Sequence, residues 1–128
     1  MRRSVLLSLA AVALFAVVPT HAHHTFMSTY FQDRTQTIAG TLVQITFRNP
    51  HSVVLVDSPD EHGRIHRWTI EWGAALQLNH QDVTPETLKV GDRVTITGHP
   101  GRNPDDHRLR LRTIVRPSDG WRWRGTFE

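Results

Sequence analysis

Beyond residue 36, apolar and polar positions alternate with a period of two over short runs divided by glycine, proline and asparagine, the patterning of strands and turns. Residues 37–47 (TIAGTLVQITF) are rich in β-branched side chains and predict a first strand with Val43, Ile45 and Phe47 on one face. Gly40 within it predicts a bulge or bend. Asn49-Pro50 stops the strand, because proline has no N–H to give to a ladder. Residues 52–57 (SVVLVD) predict a second strand and residues 58–63 a turn. Residues 64–72 alternate cleanly, with Trp68, Ile70 and Trp72 opposite Arg67, Thr69 and Glu71. Helix-formers follow at 73–79, and Thr84-Pro85-Glu86 predicts a capped helical turn. Strands at 93–98 and 109–116 flank a polar loop, 99–107.

Three strands in a meander, a short helical connection and two further strands predict a mainly β domain, an OB-like five-stranded small barrel. An open five-stranded sandwich or roll has the same order. The expected core adds Val54, Val94, Ile96 and Leu111 to the apolar faces above.

The first 22 residues read differently. Arg2 and Arg3 precede an apolar run at 5–18, too short for a membrane-spanning helix, which takes about 20 residues. Pro19 ends the run, and Thr20 and Ala22 are the small residues of a cleavage site after Ala22. The expectation is a cleavable signal peptide at 1–22 and a periplasmic or secreted protein with no transmembrane segment after cleavage. Residues 23–36 then form an extended arm, 37–116 the barrel and 117–128 a tail of alternating Arg and Trp.

Composition narrows the chemistry. A chain of 128 residues holds one domain, and the lack of cysteine excludes disulfides, thiolate metal sites, cysteine nucleophiles and lipid attachment through cysteine. Fifteen basic residues face 12 acidic ones; without Arg2 and Arg3 the balance is 13 − 12 = +1. That is too little to make the whole protein a polyanion binder, and export argues against nucleic acid as partner.

Four segments together resemble a family of small secreted bacterial proteins classed as a domain of unknown function. They are the start His23-His24-Thr25-Phe26, the turn Asn49-Pro50-His51-Ser52, Trp68-Thr69-Ile70-Glu71, and residues 88–98 with Leu88-Lys89, Gly91-Asp92 and Gly98. The resemblance implies an exported, barrel-like domain and carries no activity with it. Thr25 stands where the family has serine, and the Arg/Trp tail is particular to this chain.

The candidate chemistry lies in the histidines. Cleavage after Ala22 leaves His23 with a free amine, and an amine with an imidazole can chelate one metal ion near neutral pH. His23, His24 and His51, the last in a loop at the expected barrel rim, are the candidate metal ligands, with copper the natural ion for such nitrogen donors. Glu71 is a candidate second-shell or axial oxygen. Asp105, Asp106 and His107 could also hold a metal, but their loop has the composition a turn requires. Arg108, Arg110 and Arg112 share one face of the fifth strand, a surface for an anionic envelope component or an acidic protein, or a solvated face guarding an edge strand. His62, His66 and His80 show no partner in the sequence. With no catalytic motif present, the expectation is a binding module and no cofactor beyond copper. An envelope assembly protein without a small ligand and a copper-dependent redox enzyme are the competing classes.

Overall fold

The computed structural model of the chain describes residues 26–125; the expected leader, its cleavage point, His23 and His24 lie outside the described residues. The elements are β1 (Gln36–Thr46), β2 (Val53–Pro59), β3 (Ile65–Glu71), α1 (Ala75–His80), β4 (Arg93–Pro100), a 3-10 turn (Pro104–Asp106), β5 (Arg108–Arg116) and β6 (Trp121–Arg124). The sheet runs β3-β2-β1-β4-β5-β6. A parallel seam pairs Thr69, Ile70 and Glu71 with Arg108, Leu109 and Arg110 and closes the first five strands into the OB-like barrel. That seam excludes the open sandwich. Residues 84–86 form a turn rather than a helical element. No helix among the described residues is long and apolar enough to cross a membrane.

Two bulges decide which residues face inward. Along β1 the ladder with β2 skips Val43, so Ile38, Gly40 and Leu42 point into the barrel before it and the odd positions turn inward after it. Val43 is therefore half-buried, while Ile45 and Phe47 pack at the edge of the core. On β5 the ladder with β4 skips Arg112, and the inward set changes from Leu109 and Leu111 to Ile114. A bulge adds twist, which a small barrel needs in order to close. Gly40 is not the bulge expected of it. It lies where β1 passes close over β2, and a Cβ there would sit 2.3 Å from the Asp57 carbonyl oxygen.

Val54, Val56, Ile70, Trp72, Val94, Ile96 and Leu111 are buried as their alternation requires, and Trp68 is partly buried against the same cluster. The Arg/Trp tail corrects the sequence reading: residues 121–124 pair with β5 as β6. Trp123 turns into the core, edge-on to Trp72 with ring centroids 5.3 Å apart, and its indole N–H donates to Gln81 Oε1 at 2.9 Å. Trp123→Ala should therefore lower unfolding stability by about 3 kcal/mol, as for other buried aromatics. A urea midpoint unchanged from the parent protein would show β6 to be dispensable.

Candidate functional site

The β1–β2 loop is held from below. Ser52 is fully buried, and its backbone exchanges hydrogen bonds with the residues just past β3, accepting from Trp72 N–H and donating to the Gly73 carbonyl. Asn49 Oδ1 accepts the Leu76 N–H at 3.3 Å, serving the start of α1 in place of Ala74, which has no side-chain oxygen to cap with. Arg48 Nε donates to the His51 carbonyl at 2.9 Å. These contacts set His51 at the mouth of a cleft of about 340 Å³ that also touches Thr69, Glu71 and Arg108.

His51 Nδ1 lies 2.8 Å from Glu71 Oε1, a close ion-pair distance. The ring N–H is poorly aligned on that oxygen, so the contact is not a well-directed hydrogen bond. The other oxygen, Oε2, accepts the Tyr30 hydroxyl at 2.6 Å. Tyr30 is 2% exposed, and its phenol is pushed well above its ordinary pKa, chiefly by burial and then by the hydrogen bond and charge of Glu71. Tyr30 is the residue the sequence reading missed. Its one available signal was that the chain's sole tyrosine stands between Phe26 and Phe31 in the arm, an aromatic cluster outside the predicted strands.

Tyr30 brings the arm onto the barrel. Residues 26–29, expected to be extended, form a helical turn, and Tyr30 bridges to Gly101. Phe31 N–H donates to the Pro100 carbonyl, Arg102 N–H to the Thr29 carbonyl and Arg102 Nε to the Met27 carbonyl at 2.7 Å. His99 Nδ1 meets the Arg34 carbonyl at 3.0 Å, and Arg112 donates to Nε2 of the same ring at 3.2 Å, which fixes the proton on Nδ1.

The arginine face of β5 is consequently half-buried beneath the arm rather than fully solvated. The Arg110 guanidinium lies 4.2 Å from the Phe26 ring centre, and Arg108 lies 5.9 Å from that of Tyr30. Burial lowers the pKa of Arg110, while Glu71 and Tyr30 work the other way. β5 is no edge strand either, having β3, β4 and β6 as neighbours.

The polar loop is a turn, as its composition required. Asn103 caps the 3-10 turn by accepting from Asp105 N–H, and Asp105 and Asp106 are exposed. His107 takes a left-handed backbone (φ 45°) and stacks on His66, centroids 4.4 Å apart. His66 does have a partner: Nε2 lies 2.9 Å from Asp60 Oδ2. Of the predicted site residues, the fold thus unites His51 with Glu71. Among the described residues no group of three histidines and carboxylates could hold a metal ion alone.

A model of a family of unknown function, DUF6152, matches residues 10–110. A 42-residue stretch is 45% identical to trans-cinnamate 4-monooxygenase of Medicago sativa, covering 33% of this chain and 8% of that protein. The chain thus spans less than a tenth of that protein's length, and nothing of its activity carries across.

Proposed function

The chain belongs to DUF6152, a family of unknown function, and from its own residues we propose that it is an exported binding module whose barrel rim takes a divalent transition-metal ion, copper before others. The observation that carries this reading is the cluster of Tyr30, Glu71 and His51, in which the carboxylate accepts the phenol's hydrogen bond and stands 2.8 Å from the imidazole Nδ1. A carboxylate beside Nδ1 favours the tautomer that leaves the Nε2 lone pair for a metal, and a second donor on that carboxylate keeps it in place. Among the described residues no hydrogen bond engages Nε2 of His51. His23 stands three positions before Phe26, so the two Cα atoms lie within about 11 Å of each other. Phe26 itself lies against Arg110, the ladder partner of Glu71. Chain length therefore permits the amine and imidazole of a mature N-terminal His23, or the ring of His24, to join His51 on one ion. Copper(II) accepts such a nitrogen set in tetragonal geometry.

The test compares protein starting at His23 with a form carrying one residue before it, each titrated with Cu(II). The extra residue takes the histidine's amine out of the chelate and leaves every side chain present. Affinity should fall by about a hundredfold or more, beyond what losing a second-shell partner costs, and His51→Ala should weaken it as well. His62→Ala, in an exposed turn, should leave it unchanged. Equal affinity of the native and extended forms would eliminate the site and leave the module without a metal. Oxidation of an electron donor by the copper-loaded protein would make it an enzyme rather than a carrier.

A further inference from the structure

We propose that the cleft between the arm and the β4–β5 loop binds a small organic anion, carboxylate or phosphate on a body no larger than a disaccharide. This cleft, of about 660 Å³, is distinct from the one at His51 and lies in the size range of small-ligand sites. Its walls include Phe31, Arg34, Trp68, Arg102, His107 and Arg108, and no aspartate or glutamate lines it. Arg34 and Arg102 share Phe31, their guanidinium carbons 3.9 and 4.9 Å from its ring centre. Two cations are thus held at one ring, against their mutual repulsion.

Their donors are only partly used. Arg34 meets Asp33 at 3.7 Å, a loose exposed pair, and Arg102 spends Nε on the Met27 carbonyl. Arg108 borders both clefts, and its Nε is buried without an acceptor among the described residues. Sealed from solvent, that Nε is out of an anion's reach, so Arg108 contributes positive charge to the cleft rather than a hydrogen bond from Nε. Arg34 and Arg102 with donors to spare, Arg108 at the border and no carboxylate in the wall are the chemistry of an oxyanion receptor. Trp68, partly buried against the core and touched at its edge by His107, supplies an apolar wall for the body that carries the anion.

The experiment is calorimetry on the full mature protein with chelator present, so that no metal takes part. The probes are digalacturonate for carboxylate, glycerol phosphate for phosphate, and neutral galactobiose. At least one anion should bind, weakening as salt rises, while galactobiose should not. Binding by digalacturonate alone identifies a carboxylated saccharide as the ligand type; binding by glycerol phosphate alone identifies a phosphate ester. Arg34→Gln and Arg102→Gln should each weaken the anion about tenfold, the worth of one charge-assisted contact. Arg34→Gln leaves the Arg102–Met27 bond in place, so a loss there is not release of the arm. Arg122→Gln, at an exposed position of β6, should bind as the parent does. Galactobiose binding as tightly as the anions, neither anion binding, or unchanged affinity in both arginine variants would overturn the proposal. Because no metal is present, none of these outcomes bears on copper binding.

Discussion

Gly98→Ala is expected to cost more than about 3 kcal/mol, a large part of the 5–15 kcal/mol that holds a domain of this size folded. Gly98 lies on the inward face of β4 beside the β5 bulge, and a Cβ there would stand 2.3 Å from the Arg110 carbonyl oxygen and 2.9 Å from its carbon. The clashing atoms are backbone of the strand that forms the parallel seam, so no side chain can swing aside to make room. Relief would require β5 to move away from β4 and loosen the barrel where it closes. Gly63→Ala is the control. It sits in an open turn at φ 79°, where nothing would touch the added methyl, and should cost about 1 kcal/mol from backbone preference alone. Urea unfolding of the two variants decides the matter: similar midpoints would refute the close-approach argument.

Loss of Glu71 should reach the arm as well as the rim, lowering both stability and Cu(II) affinity. Glu71→Ala leaves the Tyr30 hydroxyl, 2% exposed, without its acceptor, which costs about 1–3 kcal/mol. The arm should then loosen, seen as faster proteolysis within residues 31–36, and Cu(II) affinity should drop about 10- to 100-fold as His51 loses its orienting group. Tyr30→Phe removes the orphaned hydroxyl, so adding it to Glu71→Ala should cost less than it does in the parent protein. Strict additivity in that cycle would mean the two side chains act independently. The sign of the pH effect follows from the phenol. Its pKa is raised on folding, so the stability it contributes is present below the usual value near 10 and is lost as pH rises beyond it. Arm docking should persist across neutral pH and weaken only in alkali, tracked by phenolate absorbance against proteolysis.

How far the sequence could be read depends on the range of the interaction. Trp68, Ile70 and Trp72 declared their strand by period two, Asn49-Pro50 declared its turn, and the absence of cysteine settled a class of chemistry outright. Each is a local statement, carried by side-chain direction, by the missing N–H of proline or by the presence of an atom type. The mainly β class and the OB-like strand order followed from such statements laid end to end. The bulges at Val43 and Arg112 did not, because which residue is left unpaired depends on how two strands curve around a common core. Residues 121–124 looked like a charged tail because two tryptophans among arginines do not say which strand they will pair with. The candidate site divides in the same way. His51 and Glu71 could be named as donor types, but they are 20 positions apart in the sequence, and Tyr30 stands 41 before Glu71. Only closure of the barrel sets His51 against the carboxylate. Only the arm's return across β4 and β5 buries the tyrosine behind it and covers an arginine face that alternation alone describes as open.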